Sequence, residues 1–253
     1  MATYKKRGYK PQTKVEKEVE VHEESTTAEV FDTLDEGASK TEAWVEGNWK
    51  YLLIFIGVIV VGVLGYMGYK KFIQEPKNID ASNEMYQAQN YFNEAIAGAA
   101  QKDSLFNLAL NGGEGKYGFL DIIDSYSGTK SANLAHYYAG MAYLNMNQYK
   151  EAIDQLEDFK SEDQMLAPLA KGGIGDAFAQ LDQLDEALGY YEEAANMRDN
   201  SFTAPRFLFK ASLVAIDLGK KDKAAKYLTK ITEEYPESAE AKDAELYLGM
   251  VSE

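Results

Sequence analysis

Cysteine is absent from these 253 residues. That excludes disulfides, thiol catalysis, a lipidated N-terminal cysteine and Cys-based zinc sites. Histidine is almost as scarce, with His22 and His136 the only two. No histidine cluster, nucleophile–base pairing or metal-ligand spacing can be assembled from them, so neither an enzyme nor a cofactor is expected. Basic side chains are outnumbered, 26 Lys and Arg against 41 Asp and Glu, for a net charge of −15. A surface this acidic repels phosphate backbones and argues against nucleic acid as a partner.

Long apolar runs are also missing, with one exception. Tyr51 to Tyr69 (YLLIFIGVIVVGVLGYMGY) has no charged residue over 19 positions. At about 1.5 Å per residue it spans roughly 28 Å, close to a bilayer's hydrocarbon thickness. Trp44, Trp49 and Tyr51 stand at one end, and Tyr66, Tyr69 and Phe72 at the other, as rings do at headgroup level. Lys50 and Lys70–Lys71 can reach the interfaces. The expectation is an uncleaved single span over residues 50–72. A buried core helix is the alternative, and this length without a polar residue disfavours it. Lysines flank both ends, so charge leaves the orientation open. Gly57, Gly65 and Gly68 lie within the run, outside a GxxxG frame; Gly57 and Gly68 share a face that a partner helix could approach, though glycine is common in such helices.

Residues 1–49 form a tail. Residues 1–24 turn from basic to acidic (KVEKEVEVHEE) with few large apolar residues and are expected to be disordered. From Thr26 a capping box leads into Val30, Phe31 and Leu34 on one helical face, which Gly37 should end. An amphipathic helix on the membrane surface and a docking helix both fit that pattern. Pro76 is expected to break the chain just past the span.

Residues 77–253 carry helical periodicity without a convincing strand, so the fold class expected is all-α. Ile79 to about Ala100 reads as a helix burying Met85, Tyr86, Tyr91, Phe92, Ala95 and Ile96. NGGEGKYG (Asn111–Gly118) lacks the first glycine and the Ser or Thr of a phosphate-binding loop and reads as a turn. Three phrases then recur: YKEAIDQLEDF, LDEALGYYEEA and KDKAAKYLTKI. Their alanines Ala152, Ala187 and Ala224 are 35 and 37 residues apart, a helix–turn–helix period. Small residues match at Gly140, Gly175 and Ser212, where the two helices must approach closely. Pro168 and Pro205 stand at helix starts, which tolerate a missing N–H. The residues resemble tetratricopeptide (TPR) repeats at about 133–166, 168–201 and 205–238. A degenerate repeat at 79–128 precedes them, and a capping helix at 239–250 follows Pro236. The expected architecture is one transmembrane helix followed by a TPR-type α-solenoid of helical hairpins.

In the TPR register the groove-facing positions are Leu134, Tyr137, Met141 and Leu144, then Leu169, Asp176 and Ala179, then Arg206, Phe209, Leu213 and Ile216. Lys210 joins Arg206 as a basic residue of the third repeat. This surface is mainly apolar and suits an apolar partner segment. The chain's own last helix, with Leu246, Tyr247 and Leu248, could fill it equally well. A carboxylate clamp is rejected, because Tyr137, Met141 and Gly173 replace residues it needs. His136 sits at a packing position, and Glu192–Glu193 and Glu233–Glu234 read as solvated faces.

The layout of tail, span and acidic TPR domain resembles the YfgM family of bacterial inner-membrane proteins. The phrases STTAEVFDTLDEGASKTEAWVE and GFLDIIDSYSGTKSANLAHYYAG are similar to its Bacteroidota members. The resemblance implies a cytoplasmic N-terminus and a periplasmic TPR domain. It also implies a non-enzymatic role as an ancillary subunit of the SecYEG translocon, with a PpiD-type periplasmic chaperone as partner, next to emerging polypeptides. A structural scaffold in an envelope or secretion assembly is the competing expectation, and a cytosol-facing adaptor a weaker third.

Overall fold

The computed structural model describes residues 14–98 and 100–251, with side chains from Thr41 onward. The chain divides into two compact units, Met1–Gly68 and Tyr69–Glu253. Helix α1 (Lys14–Tyr69) dominates the first. Of the expected disordered segment, residues 1–13 lie outside the described residues; from Lys14 the backbone is helical, a correction for 14–24. Glu and Lys are strong helix formers, and this stretch is rich in both. Gly37 does not end a helix but lies inside α1, since a lone glycine costs only about 1 kcal/mol there. Among the described residues one helical stretch is long and apolar enough to cross a membrane, and its apolar window is wholly unburied.

The second unit starts with a π-helical turn, Lys70–Gln74, in which the Glu75 N–H reaches the Lys70 carbonyl. Pro76 does not break the chain. It sits in the first turn of α2 (Glu75–Ile96), where its missing N–H is tolerated. On α2, Met85, Phe92 and Ala95 are buried as expected, but Tyr86 and Ile96 are exposed. The buried set Met85–Ala88–Phe92–Ala95 follows an i, i+3, i+4 stripe from which Tyr86 and Ile96 are rotated away.

Residues 79–128 are not a two-helix repeat. They hold α2, α3 (Lys102–Asn111) and α4 (Phe119–Ser125). The α3–α4 connection is a tight turn in which Gly113 and Lys116 exchange backbone hydrogen bonds. Gly112 enters it at φ 76°, with Gly118 N only 2.8 Å from where a Cβ would stand, so both sterics and backbone require glycine. The three helices close on α5 (Lys130–Asn145) through aromatic rings: Phe92 meets Phe106, Phe119 and Tyr138 edge-on, and Phe119 stacks on Tyr138 at 5.1 Å. Asn78 accepts from the Lys130 N–H and Lys77 donates to the Ser127 carbonyl, tying α2 to the entry of α5.

Three helical hairpins follow: α5 (Lys130–Asn145) with α6 (Tyr149–Asp158), α7 (Leu166–Gln180) with α8 (Leu184–Met197), and α9 (Thr203–Asp217) with α10 (Lys221–Glu234). Helix α11 (Ala241–Val251) packs on the last pair. Each hairpin turns the same way. A residue in the left-handed region ends the first helix (Asn147, Asp182, Gly219, at φ 59–70°), and the next N–H bonds back to Tyr143, Phe178 or Ala215. Asn, Asp and Gly are the residues that tolerate this cap. Ala152, Ala187 and Ala224 are fully buried where the helices of each pair cross. At Gly140 a Cβ would stand 2.5 Å from Leu156 Cγ, and at Gly175 2.7 Å from the Tyr191 ring, so glycine sets the spacing of both pairs. Ser212, buried in the third, turns its hydroxyl back to the Phe209 carbonyl.

Side-chain bonds about one repeat apart hold neighbouring hairpins together. Tyr190 donates to Glu157 at 2.9 Å, Tyr227 donates to Glu192, and Tyr235 donates to Asp199 at 2.8 Å. Lys220 pairs with Asp185, and Asn200 donates to the Gln164 carbonyl. Glu192 and Glu193 are therefore more than solvated carboxylates: Glu192 also pairs with Lys223, and Glu193 with Lys171.

Candidate protein-binding face

The first helices of the hairpins, α5, α7 and α9, present the expected groove positions. Their inner flanks carry small residues (Ala139, Gly140, Gly172, Gly173, Gly175, Ala211, Ser212), which bury fully and bring the helices close. The larger side chains on the same helices are then left half-buried. Leu134, Tyr137, Met141 and Leu144 on α5 have this character, as do Leu169, Asp176 and Ala179 on α7 and Phe209, Leu213 and Ile216 on α9. Arg206 is exposed.

These residues are already engaged with one another. Leu134, Tyr137 and Met141 pack on the core formed by Leu156, Phe159, Ala170 and Ile174, and the Tyr137 ring lies 5.3 Å from that of Phe159. Gly173 keeps room for Met141, whose sulfur would lie 3.4 Å from a Cβ there. Phe209 meets Tyr247 of α11 edge-on at 5.6 Å. The last helix thus covers the third-repeat end of the face through Tyr247 and half-buries Leu248, while Leu246 points away and is 64% exposed. No aromatic contact of α11 reaches α5 or α7 among the described residues.

Lys210 has an internal partner. Its Nζ lies 2.5 and 2.7 Å from the two carboxylate oxygens of Asp176, and the Tyr191 hydroxyl donates to the same carboxylate at 2.6 Å. The ammonium also sits near the rings of Tyr191 and Phe207, at 5.7 and 6.0 Å. Burial, then the Asp176 charge, pushes the Tyr191 hydroxyl far above the usual tyrosine range and holds it as a donor. This network joins α7, α8 and α9, so Lys210 is not a free cation. Tyr191 was the member sequence reasoning did not single out. Its place three residues beyond Leu188 and four beyond the repeat alanine Ala187 was the available signal.

Burial also raises the Tyr137 hydroxyl, with Tyr138 adding to the shift and the positive charge of Arg206 opposing it. His136 is half-buried and bonds Gln155 through Nδ1 at 2.9 Å. A cavity of about 440 Å³ lies between the first and second hairpins, lined by Leu156, Phe159, Ala170, Lys171 and Met197 among others. Gly57, Gly65 and Gly68 of α1 have open space where a Cβ would stand, with no described atom within 4 Å. Among the described residues no group of His, Asp or Glu is placed to hold a metal ion.

Residues 87–246, from α2 to α11, match the family described as T7SS, ESX-1 secretion system protein EccA1, N-terminal domain. No curated protein matches the chain.

Proposed function

The chain belongs to the EccA1 N-terminal domain family, and on that footing we propose that it is a membrane-anchored, non-enzymatic binding protein of a protein-export machinery. The observation that carries this reading is the half-buried apolar face on α5, α7 and α9, repeated at the spacing of the hairpins. TPR-type stacks act by binding along such faces. The exposed apolar segment of α1 supports an anchor, since leaving that surface in water would be strongly unfavourable.

The finer assignment rests on the YfgM resemblance. In it α1 spans the bacterial inner membrane with a cytoplasmic N-terminus, and the TPR domain works in the periplasm. There it assists emerging polypeptides beside SecYEG and a PpiD-type chaperone. A structural scaffold in a secretion assembly is the second reading, and the match to a secretion-system protein favours it. Fold alone does not choose between them.

Cross-linking in cells, purification of the tagged chain and mass spectrometry separate the two. Recovery of SecYEG subunits and a periplasmic chaperone, lost in Tyr137→Glu, Met141→Glu or Phe209→Glu variants of unchanged circular dichroism, supports the first. Recovery of another secretion assembly without SecYEG, unaffected by those variants, rejects it in favour of the scaffold. Topology is read with Ser201→Cys, an exposed site in a chain otherwise free of cysteine. Labelling by a membrane-impermeant maleimide in spheroplasts is expected, and protection until lysis would place the domain in the cytosol.

A further inference from the structure

Helix α2 has an uncharged outer face. Its buried stripe is Ala81, Met85, Ala88, Phe92 and Ala95. At about 100° per residue, Ile79, Asn83, Tyr86, Asn90 and Asn93 form the opposite face, with Ser82 at its edge. Ile79 is 61% and Tyr86 65% exposed, Asn83 and Asn93 are exposed, and Asn90 is half-buried. The three asparagine amides make no hydrogen bond among the described residues. From Pro76 to Asn93 this face carries no charge, in a chain of net charge −15. Lys77 and Glu84 turn to the domain side and are half-buried, Asp80 lies about a quarter-turn round, and Glu75 and Glu94 mark the two ends. Ile79, Tyr86 and Asn93 follow at the seven-residue interval of a helix that pairs with another helix.

We infer that this face pairs with the same face of a second copy of the chain, α2 against α2, parallel and in register. The pairing rests on the anchor reading of α1 and is independent of the face on α5, α7 and α9. The span ends at Tyr69 and α2 begins at Glu75, so two copies inserted in the same sense start α2 at one membrane surface. Each residue then meets its own counterpart: Ile79 packs on Ile79, Tyr86 on Tyr86, and the two Asn93 amides bond each other. In such a pair any charge at the seam would face its like and repel it. A strip without charge meets that condition, and it suits a partner as acidic as the chain itself, which a second copy is. Asparagine at one seam position also fixes register in a parallel pair. Ile79 and Tyr86 offer a modest contact area, and confinement of both copies to one membrane raises their effective concentration to match.

The test uses the tagged full chain in membranes of the expressing cells, with a single cysteine added to a chain that has none. After oxidation with copper phenanthroline, Ile79→Cys, Tyr86→Cys and Asn93→Cys are expected as disulfide dimers on a non-reducing gel. Asp80→Cys and Ser201→Cys, both exposed but off this face, should stay largely monomeric. A charge exchange then reads the register, at a residue exposed enough for either charge to leave the fold intact. In the Tyr86→Cys background, Ile79→Glu alone and Ile79→Lys alone should each cut the dimer by about tenfold, and co-expressing the two should restore it as a mixed dimer. Cross-linking as strong at Asp80 and Ser201 as on the face, none at the three seam positions, or no rescue by the mixed charges overturns the inference. Alkaline carbonate extraction of the same membranes reads the anchor separately. Release of the chain overturns the anchor reading and the pairing together, whereas a chain retained but monomeric overturns the pairing alone.

Discussion

Glycine to alanine should have opposite effects at two helical positions of this stack. Gly172 lies on α7 with Phe207 of α9 directly against it. A Cβ at Gly172 would stand 2.7 Å from Phe207 Cδ1 and closer still to Cε1 and Cζ. The ring has nowhere to go: Phe207 is 2% exposed, stacked on Tyr191, with the Lys210 ammonium beside it. Overpacking of this kind costs about 1–3 kcal/mol, and alanine's helix preference returns about 0.5–1 kcal/mol. With the ring fixed the cost falls in the upper part of that range, about 2–3 kcal/mol, so the net expectation for Gly172→Ala is about 1–2 kcal/mol of destabilisation. Gly189 on α8 is exposed and has nothing within 4 Å, so Gly189→Ala should add about 0.5–1 kcal/mol. At roughly 2–4 °C per kcal/mol for a domain of this size, Tm falls by about 2–8 °C in the first variant and rises by about 1–4 °C in the second. The melt is followed by near-ultraviolet circular dichroism of the full chain in mild detergent, which reports tyrosine packing rather than α1 helicity. A Gly172→Ala protein as stable as the parent, or a Gly189→Ala protein that melts lower, would refute the packing argument.

Stability should also fall at alkaline pH. Burial and hydrogen bonds to Glu157 and Asp199 push the Tyr190 and Tyr235 hydroxyls up to about 12. An unfolded chain releases those protons near pH 10 while the folded one keeps them, so unfolding becomes easier as pH rises from 10 to 12. Urea midpoints at pH 9 and pH 11.5 check this, and a Tyr190→Phe/Tyr235→Phe protein should show the smaller drop between them. Tyr190→Phe alone at neutral pH removes one largely exposed bond between repeats but keeps the ring stacked on Phe178, and should lower stability by about 1 kcal/mol or less. Leu228→Ala empties a fully buried site between α9 and α10 and should cost about 2–5 kcal/mol in a urea titration, with an unchanged m-value.

Much of the fold was legible because TPR packing depends on small residues at fixed spacing. Ala152, Ala187 and Ala224, with Gly140 and Gly175, stand where helices cross with no room for more, so volume alone makes the period visible in the chain. The region before the repeats was less legible. Its core is made from Phe92, Phe106, Phe119 and Tyr138 on four different helices, and aromatic residues scattered at irregular intervals carry no period. That is why residues 79–128 were expected as one hairpin and hold three helices.

By itself the sequence determined the apolar segment, the all-α class, the places of the repeat alanines and the residue types that line the face. These follow from local properties: transfer of side chains from water, helix periodicity and the volume of a residue at a crossing. The tertiary structure alone decided which of those residues remain free. Lys210 is consumed by Asp176 and Tyr191, and Phe209 is partly covered by Tyr247, whereas Arg206 keeps its charge unpaired. Pairing across the repeats depends on the lateral register between neighbouring hairpins, and that register is fixed only when the whole stack is packed.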